Sequence, residues 1–263
     1  MTTARLPRTG PRAAVRDALL IAGRNLTVLV RLPQLLVFAT IQPILFVLLF
    51  RYVFGGAIDV PGVSYVDYLM PGVFAQTVAF GAITTGIGLA EDLARGLIDR
   101  FRTLPMARSA VLAGRTLADV VRNLGVVLLM VAMGYLVGFR VHTTLLHLLA
   151  GMGLLLLFGF AMSWVFALIG LRASNAETAQ AAAFPLLFPL VFASSAFVPT
   201  ATMPGPLQAF AENQPVTALI DAVRALVLGG PTLSPVLTSL AWSLGILAVA
   251  APLAVRRYRQ ATA

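Results

Sequence analysis

The sequence contains no cysteine and no lysine, and it is poor in charge. The absence of cysteine excludes disulfide bonds and thiolate metal sites. The absence of lysine excludes a P-loop, whose motif G-x-x-x-x-G-K-[ST] places a lysine on the phosphates, so this chain is not expected to hydrolyse ATP by that route. Charged residues make up 11% of the chain and hydrophobic residues 59%, whereas ordinary globular domains are about 25% charged.

Six long stretches contain no Asp, Glu, Lys or Arg. A helix needs roughly 20 apolar residues to cross the hydrocarbon core of a bilayer, and these stretches are 17 to 34 residues long. They are Leu32–Phe50, Tyr68–Ala90, Asn123–Phe139, Val141–Leu171, Thr178–Ala211 and Ala225–Val255. Their apolar runs are continuous rather than alternating, which favours helices over a closed barrel. The sequence therefore predicts an all-α integral membrane protein with six transmembrane helices.

The expected architecture is one membrane domain over residues 1–263. It comprises a cytoplasmic and interfacial N-terminus (1–33), a six-span bundle (34–255) and a cytoplasmic tail (256–263). The predicted spans are Gln34–Phe54, Tyr68–Ala90, Thr116–Phe139, Leu145–Leu171, Thr178–Val198 and Leu233–Val255. The proline-rich segment Pro199–Gly230 is expected to hold two short helices, Leu207–Phe210 and Ala218–Leu228. They are expected to dip partway into the outer leaflet as a re-entrant hairpin, or to cap it. Non-helical backbone at that depth is tolerated only where it is buried in protein or lines a wet cavity.

The distribution of arginine predicts the orientation. With the N-terminus inside, 16 of the 19 arginines fall in inner segments, and Arg51, Arg140 and Arg224 fall outside. The positive-inside rule therefore places both termini in the cytoplasm. The basic excess also suits contact with anionic membrane lipids, and no nucleic-acid partner is expected. Residues Ala13–Arg31 mix apolar and basic positions and are predicted to form an amphipathic helix along the inner membrane face.

The inner loop between the second and third spans is predicted to contain a further amphipathic helix. Its apolar face has helical spacing and consists of Leu93, Leu97, Ile98, Phe101 and Leu104. Glu91 and Asp92 are expected to open this helix, where the positive helix terminus favours them, and Pro105 to end it. Such a helix can lie on lipid, pack on neighbouring spans, or dock into the groove of a partner.

The same loop carries a resemblance to a known family. The stretch RGLIDRFRTLPM (95–106), continued by RSAVLAGR (108–115), resembles the signature of the type-2 ATP-binding-cassette (ABC) exporter permeases, and is closest to their daunorubicin/doxorubicin-resistance branch. The resemblance extends over essentially the whole chain. It implies a permease subunit that moves an amphiphilic drug, antibiotic or lipid-like molecule out of a bacterial cell. It also implies a separate ATPase subunit, which binds ATP and Mg²⁺, and a second permease copy, identical or paralogous.

In that family the corresponding loop is a coupling helix that seats in a cleft of the ATPase subunit. The resemblance therefore assigns contact with the ATPase to Leu97, Ile98, Arg100, Phe101 and Arg102. Phe101 is expected to be the buried anchor, and Arg100 and Arg102 to form charge-assisted bonds. Movement of the ATPase subunits would then tilt the second and third spans.

Polar side chains within the spans are candidates for the substrate pathway, because polar groups in lipid are costly and often mark transport paths. These candidates are Thr40, Gln42, Gln76, Thr77, Thr84, Thr85, Ser194 and Ser195. The alternative for each is a hydrogen bond between helices. Asp119 and Arg122 are expected to pair at the inner membrane edge, with a gating role as the alternative. No charged residue is expected in the middle of a span, which argues against a proton relay and fits an amphiphilic cargo.

Other classes of function stay open at this point. A secondary transporter or channel would work without an ATPase, and a membrane anchor would need no polar cavity. A membrane enzyme is disfavoured, because no cluster of His, Asp or Glu faces an interface, and neither catalytic residues nor a metal site are expected in this chain. His142 and His147 are interpreted as polar residues at the edge of a span.

Overall fold

A computed structural model describes residues 16–23, 27, 33–58, 60, 62–96 and 108–261. Within these ranges all regular structure is helical, which confirms the all-α part of the predicted fold class. Four of the described helices are long and apolar enough to cross a membrane: Tyr65–Ala94, Leu112–Leu136, Leu145–Gly170 and Leu233–Gln260. Two shorter apolar helices, Thr40–Phe54 and Ala176–Phe192, coincide with the predicted first and fifth spans.

The helices run back and forth between two ends of the molecule. In chain order they are α1 (Pro33–Leu48, continued by a π-helical turn, Leu49–Phe54), α2 (Tyr65–Ala94), α3 (Arg108–Leu136), α4 (Leu145–Gly170), α5 (Ala176–Phe192), α6 (Gly205–Glu212), α7 (Pro215–Leu228) and α8 (Leu233–Ala261). We call the end that carries α6 and α7 the hairpin end. We call the opposite end, where α2 stops and α3 starts, the connection end.

Helix α2 lies at the centre of the bundle. Its most apolar window is 72% buried, against 17% for that of α8, so α2 is surrounded by protein and α8 presents most of its surface outward. Small residues let α2 and α4 approach closely. A Cβ atom built on Gly86 would overlap the carbonyl oxygen of Phe166, and one built on Gly170 would overlap that of Gly86. The two helices thus meet backbone to backbone.

The connection end differs from the prediction. Glu91 and Asp92 do not open a separate helix, because α2 continues through them to Ala94. The helix ends where the Gly96 N–H bonds the Leu93 carbonyl at 3.0 Å, and Gly96 has a φ of +64°. A glycine in this left-handed conformation is a common helix terminator. A helix keeps its internal hydrogen bonds in water as well as in lipid. Helix α2 can therefore continue past Ala90, where its charge-free stretch ends.

The predicted fifth span was too long. Helix α5 ends at Phe192 rather than at Val198, and the residues that follow are buried but not helical. Two tyrosines of α2 bind this segment: the Tyr65 hydroxyl donates to the carbonyl of Phe197 at 3.1 Å, and the Tyr68 hydroxyl donates to that of Ser195 at 3.0 Å. Carbonyls that a longer helix would bond internally are bonded to α2 instead.

The two predicted short helices are present as α6 and α7, with wider bounds. Between them, Gln214 is buried and supports the end of α5. Its Nε2 donates to the carbonyl of Leu190 at 2.9 Å, while its Oε1 accepts from the Val216 N–H at 2.8 Å and caps α7. One side chain therefore fastens the hairpin to α5.

Arg224 fastens the same hairpin to α2. Its guanidinium pairs with Asp221 at 2.9 Å, donates to the Ser195 carbonyl at 2.7 Å and lies 3.8 Å from the centre of the Tyr68 ring. Charge-assisted bonds and a cation–π contact are both strengthened in a partly desolvated site. The sequence places Arg224 in a predicted outer segment. In the structure its guanidinium joins α7 to α2 and to the segment after α5.

Segments at both ends of the chain pack on the connection end. Residues 16–23 are helical, and Ala18 and Ile21 lie against Gly114 of α3, whereas Leu19 and Leu20 are exposed. Helix α8 runs on through the predicted tail to Ala261, and Tyr258 is buried in a cluster with α3 and α4.

The contact between α2 and α4 yields the first prediction. The Gly86→Ala substitution forces a Cβ atom against the backbone of α4, so we expect it to lower the free energy of unfolding by about 1–3 kcal/mol. The measurement is the thermal unfolding midpoint in detergent. The matched control is Gly153→Ala on α4, where a Cβ atom meets open space. Equal midpoints for the two variants would refute the close approach of these helices.

Candidate functional site

A cavity of about 380 Å³ lies between α1, α2, α3 and α5. Seven of its lining residues carry polar side chains: Gln42, Gln76, Thr77, Thr84, Arg122, Asn123 and Gln180. The apolar part of the wall includes the rings of Phe80 and Phe184, whose centroids are 6.0 Å apart. The cavity therefore offers amide, hydroxyl and aromatic groups to a ligand.

The wall of the cavity has a buried side and an open side. Gln76 of α2 and Asn123 of α3 are buried, whereas Gln42 of α1 and Gln180 and Phe184 of α5 are exposed. The cavity consequently opens between α1 and α5. A molecule that entered there would meet the buried amides of α2 and α3 at the back.

Gln76 is the most informative residue of the wall. Its side chain is 2% exposed, and its Oε1 has no hydrogen-bond partner among the residues that the structure describes. A buried polar atom left without a partner costs about 1–3 kcal/mol. This amide is therefore ready to bond a polar group, from water or from a ligand, that occupies the cavity.

A network of charged and hydroxyl side chains forms the part of the wall shared by α2 and α3. Arg122 pairs with Asp119 at 2.9 Å, which confirms the expected ion pair. The guanidinium also donates to the Gly81 carbonyl at 2.7 Å and to the Thr84 hydroxyl, and the Thr85 hydroxyl donates to Asp119. Each charge is thus neutralised within the network.

The ion pair lies well inside both helices. Arg122 is the middle residue of α3, and its partners on α2 are also away from the helix ends. Helix α3 starts at Arg108, 15 residues before the charge-free stretch that begins at Asn123. Whether the pair lies at the membrane edge or in the middle of a span stays a prediction.

Aromatic side chains cover the cavity on the side of the hairpin end. Phe46 and Phe50 follow the cavity residues of α1, and Phe188 and Phe192 follow those of α5. Phe197 joins the two groups, with ring centroids 4.4 Å from Phe50 and 5.5 Å from Phe192. The rings of this cluster therefore pack together between the cavity residues of α1 and α5 and the hairpin end.

Four of the eight predicted pathway residues line the cavity, namely Gln42, Gln76, Thr77 and Thr84. Thr40 and Thr85 are buried but are not part of the wall. Ser194 and Ser195 lie at the hairpin end, where their hydroxyls donate to the Val191 carbonyl and to Asp221. Whether any of the eight residues contacts a substrate stays a prediction.

Sequence analysis missed Gln180 and Asn123 as residues of the wall. Both lie in charge-free stretches, so the rule that selected Gln76 could have selected them as well. The predicted ATPase contacts, Leu97, Ile98, Arg100, Phe101 and Arg102, lie outside the described residues.

Residues 17–228 match the family of ABC-2 type transporters. The chain belongs to this family. The permease is 36% identical to the daunorubicin resistance ABC transporter permease protein DrrB1 of Streptomyces coeruleorubidus, over 97% of this chain and 90% of that protein. It is 32% identical to the probable doxorubicin resistance ABC transporter permease protein DrrC of Mycobacterium tuberculosis, over 98% of this chain and 94% of that protein.

These relationships confirm the resemblance and the predicted class of function. The protein is a multi-pass membrane permease of the ABC exporter class. The family match covers α1 to α7 and ends at the last residue of α7. It therefore includes every helix that lines the cavity.

The network at the cavity wall yields a second prediction. The side chains of Arg122 and Asp119 are 15% and 11% exposed, so Asp119→Asn leaves a nearly buried charge without its counter-charge. Loss of one partner of a buried pair costs about 3–5 kcal/mol, and we expect the double variant Asp119→Asn, Arg122→Gln to lose less. Thermal unfolding in detergent measures these two variants and the single variant Arg122→Gln. The pairing would be contradicted if the effects of the two single substitutions simply added in the double variant.

Proposed function

We propose that this permease exports an amphiphilic substrate from a bacterial cell and binds it in the cavity between α1, α2, α3 and α5. The observation that carries the proposal is the buried, unpartnered amide oxygen of Gln76 in the wall of a 380 Å³ cavity. Aromatic and apolar walls with a few polar groups suit a ligand that is itself largely apolar. The names of the relatives, which refer to daunorubicin and doxorubicin resistance, support a drug-like or lipid-like molecule.

The proposed topology has six spans. Helix α1 with its π-helical turn comprises 16 and 6 residues, and α5 comprises 17, so that together with the four long helices they give six apolar crossings. The shorter α6 and α7 then form the re-entrant hairpin in the outer leaflet. The arginine distribution supports a cytoplasmic connection end and cytoplasmic termini, in the plasma membrane of a bacterium. Helical residues 16–23, with exposed Leu19 and Leu20, would lie at the inner interface.

A separate ATPase subunit is the proposed source of energy, and it would bind ATP and Mg²⁺. Residues 97–107 join the connection ends of α2 and α3, two helices that also line the cavity. A partner that holds this segment through Leu97, Ile98, Arg100, Phe101 and Arg102 would therefore act on the cavity through both helices.

A second permease copy is proposed to cover the open side of the cavity. Gln42 and Gln180 are exposed there, and amide side chains are poorly accommodated by hydrocarbon. A second copy that faces the gap between α1 and α5 would enclose both amides, together with water or substrate. The two copies could be identical or paralogous.

Affinity purification tests the partner and its attachment together. In mild detergent we expect the wild-type permease to retain a P-loop ATPase in equal stoichiometry. The double variant Phe101→Ala, Arg100→Glu should abolish transport and reduce recovery of the ATPase, because it removes the anchor and reverses one charge of the contact. Membrane insertion should be unaffected.

The control for this experiment is Arg172→Glu, which reverses an exposed arginine in the loop between α4 and α5, at the same end of the molecule. We expect it to retain the ATPase and transport. Repeated recovery of intact wild-type permease alone would instead favour a self-sufficient transporter or an anchor. Unchanged transport by the double variant would refute the assignment of the coupling segment.

Binding in the cavity is tested by Gln76→Leu. We expect efflux of fluorescent doxorubicin, measured in cells that express the permease with its ATPase, to fall at least about tenfold. The unfolding midpoint should stay equal or rise, because the variant removes an unpartnered buried polar group. Gln208→Leu on α6 makes the same chemical change at a half-buried position outside the cavity. Equal efflux by the two variants would argue against substrate binding at Gln76.

A further inference from the structure

Two arginines of α3 lie across glycines of α2. Arg122 bonds the carbonyl of Gly81 at 2.7 Å. Arg115 lies over Gly88, where a built Cβ atom would overlap its guanidinium, and it forms an ion pair with Asp92. At Gly88 the absence of a side chain lets the guanidinium rest directly on α2, whereas at Gly81 a built Cβ atom would crowd Asn123 and lie 3.7 Å from Arg122.

The spacing of these contacts is regular. Gly81 and Gly88 are seven residues apart on α2, as are Arg115 and Arg122 on α3, and seven residues correspond to two turns, or about 10 Å. The helices run in opposite directions, so both arginines meet their glycines in one register. Between them, Thr85 donates to Asp119. We name these three contacts, Gly81–Arg122, Thr85–Asp119 and Gly88–Arg115 with Asp92, the arginine ladder.

The arginine ladder is not needed to stabilise the contact between two apolar helices. Replacement of buried ion pairs by well-packed apolar residues is often neutral or stabilising, so such pairs are weak evidence for a contribution to stability alone. A hydrogen-bonded ion pair instead fixes the register of α3 against α2. A guanidinium that is bound to one carbonyl and one carboxylate does not slide along the helix as an apolar contact can.

The position of the arginine ladder connects two parts of the molecule. Its first contact contains Arg122 and Gly81, which both line the cavity. Its last contact contains Asp92, in the final turn of α2, four residues before Gly96. The arginine ladder therefore extends from the cavity wall to the segment that joins α2 to α3.

We propose that the arginine ladder makes the connection-end halves of α2 and α3 one rigid lever, and that Arg122 is the positioning residue that moves the cavity wall with it. This inference rests on the proposed function, because a partner must move residues 97–107. Displacement of that segment then shifts both helices together and changes the cavity. Without the arginine ladder, α2 and α3 would slide past each other and the displacement would be lost before Gly81.

The substitution Gly88→Ala tests the lever without removing a charge. The new methyl group displaces the Arg115 guanidinium, which is the end of a flexible side chain, rather than backbone. In the complex with its ATPase, reconstituted in liposomes, we expect doxorubicin transported per ATP hydrolysed to fall at least about tenfold. Assembly and basal ATP hydrolysis should persist. Gly125→Ala, which faces open space on α3, should match the wild type.

The outcomes separate the two proposals. If the wild-type complex does not assemble or does not transport, the proposed function fails. If it transports and Gly88→Ala transports with equal efficiency per ATP, the lever is overturned while the proposed function stands.

A second measurement uses the wild-type contacts and does not depend on how Gly88→Ala folds. The chain has no cysteine, so a cysteine introduced at a chosen position can be labelled selectively. Spin labels can be attached in this way at the exposed positions Ala94 of α2, Val121 of α3 and Ala182 of α5. Between the nucleotide-free and ATP-trapped states we expect the Ala94–Val121 distance to stay constant and the Ala94–Ala182 distance to change. A changed Ala94–Val121 distance, or no change in either pair, would overturn the lever.

Discussion

Hydrocarbon supplies no hydrogen bonds, so each polar group of an apolar helix must find its partner within the protein. Helix α2 is where most of these partners meet. Along its length it bonds the non-helical segment after α5 through Tyr65 and Tyr68, and it accepts Arg122 at Gly81. Helix α2 is central because its polar groups bond neighbouring segments, and also because its surface is apolar.

The two ends of α2 meet the requirement in different ways. At the hairpin end, Arg224 joins α7, α2 and the segment after α5 in one site, with the ring of Tyr68 beneath the guanidinium. At the connection end, polar contacts join α2 to α3 and repeat along the helices. The first arrangement fixes a cap of short helices in place. The second holds two long helices in one register.

The cavity lies between these two ends, and it is one of the places where the requirement is not met. Gln76 keeps an unpartnered oxygen, and Gln42 and Gln180 reach the open side. Aromatic rings of α1 and α5 pack together on the side of the hairpin end, through contacts such as Phe50–Phe197. Stacked rings can separate without leaving a buried polar group unpaired, whereas the polar contacts on either side cannot.

The sequence by itself determined the helical class, the approximate positions of the long apolar helices and the two short helices α6 and α7, because charge-free length is a local property. It also identified four residues of the cavity wall by their polarity. Only the tertiary structure decided where helices end and which polar groups meet. Helix α2 runs past Ala90 because Gly96 stops it, and α5 stops at Phe192 because Tyr65 and Tyr68 bind the next carbonyls. Arg122 bonds the carbonyl of Gly81 on α2, about 40 residues away in the chain. No local sequence pattern predicts a partner at that separation.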